Sequence, residues 1–523
     1  MNGIHRALAV PELLVSIFRL STENDLNSLA LVCSSWKDLA LDIKWRTLTV
    51  PLTVLFKMLA PFCDEELNEF CEPDDDELEI SDDDWSAFQH YAQKVTRIKV
   101  DTPFYHESVI IIQRRLAITN QEICPNLVVL ELEDVEEGFD LDGTLAILAG
   151  ARLRTVSVAG NTTTDEETIH RLKMLASLSA RITNIVVSLQ ADDFTATPDY
   201  TIFQALRQLR IKGTVWRKGW EVISDCPLLT MLEIEEEDWM EKFMIGEDQG
   251  GDSRTEFFFP NLELLSVKSP SWSEIDAVHF ITTSAMPKLQ SLKFTIHQQA
   301  VYVQLLQHLR KTSPLLQSLH VETDSFTFNP SVHAGDILKF SAIRKLVLET
   351  TFFNDAMLEQ IGSSLPELRE FHIGIPPMGS YACNTSASTC GLLSLSIFCR
   401  SLEHLSISVS DPPDFHGRTS SDLKNRAHSL RRLRFYHLGI ADETSEGFAD
   451  WVAMLCPRVS CLEVNCLTLG RPPTLDRRST INKKEIDHFV ESVFKAQQLQ
   501  LLNPISLSTK VHPNVPGTLG NGL

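Results

Sequence analysis

The chain has 523 residues, too many for one ordinary core, so several domains or a repeat array are expected. Its 43% hydrophobic and 22% charged residues are the balance of a globular protein, and no run reaches the about 18 to 20 uncharged apolar residues that a membrane helix needs. A net charge of −23 excludes general affinity for nucleic acid, and eleven scattered cysteines, an odd number, argue against a secreted disulfide scaffold and for the cytoplasm and/or nucleus.

The first twenty residues, MNGIHRALAVPELLVSIFRL, are apolar but carry His5, Arg6, Glu12 and Arg19. With Pro11 in the middle and no small-residue cleavage site following, they read as amphipathic helix and not as a signal peptide. Pro11 suits a first helical turn, and Leu13, Leu14, Ile17 and Phe18 give that helix an apolar stripe. Ser21 to Asp25 form a polar break before a second helical stretch with Leu26, Leu29, Ala30 and Val32. Ser34 or Ser35 can cap a third, which carries Trp36, Leu39, Ala40 and Ile43.

This three-helix module, residues 1–50, resembles an F-box, closest to those of mushroom-forming fungi. The resemblance lies in Pro11-Glu12-Leu13-Leu14, Ile17-Phe18, Asp25-Leu26, Ala30-Leu31-Val32-Cys33, Trp36 and Trp45. It implies docking on the Skp-type adaptor of a cullin–RING ubiquitin ligase, with Pro11, Leu14, Ile17, Phe18, Leu26, Val32, Cys33 and Trp36 as the docking residues. A second role is open to the same helices: they can cap the exposed edge of a following repeat array.

Residues 51–93 read as a linker. Within it, residues 64–84 hold 13 of the chain's 70 Asp and Glu residues and no Lys or Arg, so this acidic insert is expected to be solvated and without a core. Ser81, followed by Asp82-Asp83-Asp84, also resembles a site for an acid-directed kinase.

From residue 94 to 502 one pattern recurs: apolar, two variable residues, apolar, one variable residue, apolar. PNLVVLEL at 125–132, PLLTMLEI at 227–234, PNLELLSV at 260–267 and PLLQSLHV at 314–321 are clear copies. The first apolar residues are Val95, Leu127, Leu153, Ile182, Leu206, Leu229, Leu262, Leu289, Leu316, Ile343, Leu368, Leu402, Leu430 and Val459, a mean period of about 28 residues. The last two apolar residues of each copy are two apart, which puts them on one face of a short strand. Several return segments have helical spacing, among them Ile169, Leu172, Leu175 and Ala176 after Thr164, residues 300–309 and residues 355–365. Such a unit cannot bury its own apolar face, but stacked parallel units can. The pattern resembles the leucine-rich repeats, although Asn161 is the clearest match to the asparagine that usually closes their strand. The expected fold is therefore α/β: the helical module, then a leucine-rich-repeat solenoid with a curved parallel sheet, then a frayed tail at 503–523.

Nothing in the sequence points to catalysis. There is no glycine-rich phosphate loop, no HExxH, no CxxC pair and no GxSxG, so no cofactor and no metal are expected. Cys124, Cys226 and Cys456 share one repeat position with Phe259 and Met286, and a position open to all three residue types is apolar core. Residues between the inward-facing pairs should lie on the open face of the sheet. There Arg210, Lys212, His320, His372, Arg432, Arg434 and Tyr436 are the candidates for contact with a protein substrate. The expected function is a substrate-recognition adaptor of a Skp–cullin–F-box ligase, binding neither nucleic acid nor membrane. The alternative is a repeat scaffold or inhibitor outside the ubiquitin system.

Overall fold

The computed structural model describes residues 10–47, 49–59, 63–64, 69–70, 80–100, 104, 106–119, 122–132, 140–158, 165–188, 199–213, 217–235, 257–268, 281, 284–296, 299–323, 340–349, 353–374, 387–409, 429–440, 445–464, 467–469 and 483–502. The chain divides into two compact units, Met1–Ser271 with Thr283–Pro287, and Trp272–Thr282 with Lys288–Leu523.

Unit 1 begins with helices α1 (Pro11–Phe18), α2 (Glu23–Ala30) and α3 (Ser34–Thr47). Pro11 sits in the first turn of α1, where its missing N–H costs nothing. Thr22 caps α2 reciprocally, its hydroxyl accepting from Asp25 N while Asp25 accepts from Thr22 N. Helix α3 already includes Ser34 and Ser35, so neither is the residue before the helix; Cys33 precedes it, with Sγ 3.2 Å from Ser35 Oγ. The module closes on its own small core of Leu14, Phe18, Leu26, Ala40 and Ile43.

The parallel ladder of unit 1 runs in chain order through Val50–Pro51, Arg97–Val100, Val129–Leu132, Thr155–Val158, Asn184–Ser188, Gln208–Lys212, Met231–Glu235 and Leu264–Lys268. Unit 2 has its own, through Ser291–Ile296, Ser318–Thr323, Lys345–Glu349, Glu370–Ile373, His404–Val409, Arg432–Ile440 and Cys461–Val464. All fourteen first apolar residues are buried, none more than 4% exposed. Most strands bury alternate residues, while Lys345–Glu349 and His404–Val409 bury consecutive ones, and equivalent positions pair across the ladder: Leu319 with Leu346, Leu346 with Phe371, Leu405 with Leu433. Before most strands the backbone makes the same turn, as in Leu127 N to Cys124 O (3.0 Å), Leu229 N to Cys226 O (3.3 Å) and Val459 N to Cys456 O (3.2 Å). The residue that opens this turn is buried in Cys124, Cys226, Phe259, Met286, Cys399 and Cys456, so the cysteines occupy apolar core positions. Burial pushes the thiols of Cys226, Cys399 and Cys456 up to about 12. Three of the predicted return helices are present as Asp165–Leu178, Gln299–Thr312 and Asp355–Ser364. Asn354 caps the third, its side chain accepting from Met357 N at 2.9 Å.

Residues 51–93 are not a plain linker. Val50–Pro51 is the first strand of the ladder, pairing Val50 with Ile98. Leu52–Phe56 is a short helix, and Leu52, Leu55 and Phe56 are buried. The end of the acidic run folds as well. Ser81 caps the helix Asp82–Ala92, and Asp82, Asp83 and Asp84 form its first turn, where carboxylates favour the helix dipole. Trp85 and Phe88 follow as buried residues, and Phe88 packs on Phe56 with ring centroids 4.9 Å apart. Cys63–Asp64 pairs antiparallel with Glu69–Phe70. Residues 71–79 and 503–523, Asn161, Thr164 and Trp216 lie outside the described residues. Trp220, in the helix Arg217–Ser224, is buried as a packing residue would be.

Candidate protein-docking surfaces

Helix α1 is apolar on two sides. Leu14 and Phe18, four residues apart, face the module core, and Phe18 meets Trp36 edge to face at 5.5 Å. Val10, Leu13, Ile17 and Leu20, spaced by three and four residues, form a second stripe that remains exposed, Ile17 at 48% and Leu20 at 89%. Leu31 and Val32, in the turn after α2, are exposed as well, Val32 at 60%. A small domain gains nothing by holding large aliphatic side chains in water unless they meet a partner.

The eight expected docking residues therefore separate. Pro11, Ile17, Val32 and Cys33 are exposed and available. Leu14, Phe18 and Leu26 are buried in the module, and Trp36 is half-buried against Phe18, so these four hold the module's shape and do not offer a free face. Leu13, Leu20 and Leu31 belong with the exposed set and were missed. The signal of Leu13 and Leu20 was present in the spacing Val10, Leu13, Ile17, Leu20.

The other end of the module leans on the first repeat. Thr96 Oγ1 donates to Arg46 O at 2.5 Å, Lys94 Nζ lies 3.7 Å from Asp42 Oδ1, and Trp45 packs on Tyr91 at 5.3 Å. The contacts with the first repeat come from α3, whereas the exposed apolar stripe follows α1.

The second surface is the polar face of each ladder. In unit 1, Arg210 is exposed and bridges Glu233 (3.6 Å) and Glu235 (3.0 Å), while Lys268 reaches Glu235 at 3.3 Å. The Arg210 hydrogen bond, set against partial burial, holds the Glu235 carboxyl below its usual range. Lys212 stands half-buried two residues on. In unit 2, Lys293 pairs with Glu322 at 2.5 Å, His320 with Glu349 at 2.8 Å, and Lys345 with Glu370 at 2.8 Å. His372 Nδ1 lies 2.8 Å from Ser406 Oγ, and burial lowers the pKa of its imidazole. Arg434 Nε is 3.3 Å from Glu463 and its guanidinium lies 5.3 Å from the Tyr436 ring centroid. Burial raises the Tyr436 phenol. Arg432 is exposed and makes no ion pair among the described residues. The candidate residues do project from the polar face, but most of their charges are already matched across strands. Any partner bound here would have to exchange existing pairs for new ones.

Residues 11–51 match the F-box-like family model, the span of α1 to α3 and the strand Val50–Pro51. Among solved structures the chain is similar to a leucine-rich-repeat protein of Leptospira interrogans (11% identity, TM-score 0.38, covering 80% of this chain and 96% of that one). It is also similar to an internalin of Listeria monocytogenes (13% identity, TM-score 0.31, covering 69% and 81%). A leucine-rich-repeat-containing protein of Legionella pneumophila is a third (8% identity, TM-score 0.34, covering 69% and 97%). No curated protein matches the chain in sequence. The ladder registers and the match at 11–51 together define the class: F-box-like helices followed by a leucine-rich-repeat-like α/β fold. Among the described residues no helix is long and apolar enough to cross a membrane.

Proposed function

We propose that this chain is the substrate-receptor subunit of a Skp–cullin–F-box ubiquitin ligase, acting in the cytoplasm and/or nucleus without catalysis or a cofactor of its own. The observation that carries the reading is the exposed stripe Val10, Leu13, Ile17 and Leu20, with Val32, on a module that already has a separate core. Apolar residues left over after a core is complete are the mark of a docking helix. The polar faces of the ladders then serve for substrate, because regularly spaced strands present one continuous array of side chains.

Co-expression of the full chain with a Skp-type adaptor tests the reading. A stoichiometric complex that survives gel filtration is expected. Elution of the two proteins apart would favour the alternative, a scaffold or inhibitor whose first helices serve only as a cap, which the contacts of α3 with Tyr91, Lys94 and Thr96 would also support.

A further inference from the structure

One cluster on the polar face of unit 2 differs from the simple ion pairs around it. His320 and Glu322 are two residues apart on the strand Ser318–Thr323, so both side chains leave the same face. Glu349, on the neighbouring strand Lys345–Glu349, stands directly opposite Glu322 in the parallel register. Two carboxylates opposed across a ladder repel each other and call for a cation between them. His320 Nε2 lies 2.8 Å from Glu349 Oε1 and 3.7 Å from Glu322 Oε1. The three ligand atoms all fall within 4.8 Å of one another, and all three residues are half-buried.

We propose that His320, Glu322 and Glu349 form a binding site for a first-row divalent cation, with Zn²⁺ the best fit. Zinc takes imidazole nitrogen and carboxylate oxygen at about 2.0 to 2.2 Å, which in a tetrahedral arrangement separates neighbouring ligand atoms by about 3.3 Å. The two separations from His320 bracket that value. An imidazole in the set disfavours Ca²⁺ and Mg²⁺, which take oxygen ligands. The supporting groups are in place as well. Thr295 Oγ1 donates to Glu322 Oε2 at 3.2 Å, which fixes the carboxylate while leaving Oε1 turned to the cluster. Two adjacent hydrogen-bonded strands supply all three ligands, so the site is organised before the ion arrives. Lys293 is the competitor: its ammonium pairs with Glu322 Oε1 and must swing away when the ion binds. With three protein ligands the ion keeps a fourth position for water or for a side chain of a bound protein. The site stands whether or not the chain joins a ubiquitin ligase.

The test uses the full chain, freed of metal with a chelator and titrated with ZnCl₂ by calorimetry, with Co²⁺ absorption reporting tetrahedral geometry. One site is expected. His320→Gln and Glu349→Gln should each weaken it by more than about a hundredfold, beyond the loss typical of a supporting residue. Lys293→Met should tighten it, because the competing cation is gone. Circular dichroism of each metal-free variant checks folding, and Glu322→Gln replaces any variant that fails that check. Zinc bound elsewhere on the surface is indifferent to all of these changes. Overturning results are no binding by the wild-type chain, undiminished binding by the ligand variants, or unchanged or weaker binding by Lys293→Met.

Discussion

Replacing Ile17 and Val32 together by Asp separates docking from folding. Both side chains face water, at 48% and 60% exposure, so the module core of Leu14, Phe18, Leu26, Ala40 and Ile43 loses none of its members. Full burial of a large aliphatic side chain is worth about 1.5 to 3 kcal/mol. Scaled by the surface still exposed, covering Ile17 contributes about 0.7 to 1.4 kcal/mol and covering Val32 about 0.9 to 1.8 kcal/mol. Their joint loss corresponds to a fall in adaptor affinity of roughly fifteen- to two-hundred-fold, before any cost of burying the new carboxylates is counted. Surface plasmon resonance with immobilised adaptor measures the affinity, and thermal melting checks the fold. Phe18→Ala is the contrast: it opens the module core, costs about 3 to 5 kcal/mol of local stability and should lose binding by unfolding. Wild-type affinity in the Ile17→Asp, Val32→Asp variant would refute the docking stripe.

Four other outcomes follow from particular contacts. Cys33 is exposed and its thiol is held below the usual range by the Ser35 hydroxyl, whereas burial holds those of Cys226, Cys399 and Cys456 up at about 12. Alkylation mapped by mass spectrometry should therefore label Cys33 ahead of Cys226, Cys399 and Cys456, and bound adaptor should protect it. Ser81→Ala should lower stability by about 1 kcal/mol in a denaturant melt through loss of the cap on Asp82–Ala92, and deletion of residues 64–84 should cost more because it also removes buried Ile80. Burial depresses the folded-state pKa of His372, so its contribution to stability is present above the unfolded value near 6.5 and is lost as pH falls below it. Melting temperature should drop as pH falls below about 6.5, and His372→Gln should reduce that drop. Charge reversal at Arg432 and Arg434 sets a carboxylate opposite Glu463, costing about 0.2 to 1 kcal/mol, while affinity purification should lose substrate and retain adaptor.

The ladders were legible because each repeat announces its buried residues before its strand forms. The spacing named the first apolar residue of every unit, from Val95 to Val459, and all are buried. Val50–Pro51 was not legible: two residues with a proline carry no period, and only pairing with Ile98 and Lys99 makes them a strand. The acidic run hid a helix for a different reason. Charge density at Asp82–Asp84 reads as solvation, yet the same carboxylates suit a first helical turn when Ser81 caps it and Trp85 and Phe88 anchor the next. On α1 the composition named the apolar residues but did not divide them, because both faces of the helix are apolar. On the polar face, residue identities followed from alternation. The pairing of His320 with Glu349 required the register, which the lengths of the return segments leave undetermined.

The strand Val50–Pro51 has a mechanical consequence. It lies within the 11–51 match and is also the first rung of the parallel ladder, so the segment that follows the F-box-like helices is hydrogen-bonded directly into the earliest repeats of unit 1. In a ligase, a tethered receptor would let its cargo wander, and any lysine could come within reach of the transfer site. A receptor fused through a rung delivers cargo at a fixed height and angle. In the proposed ligase role the choice of which lysine is modified would then pass to geometry: a cargo held on the early strands would offer the same flank at every encounter.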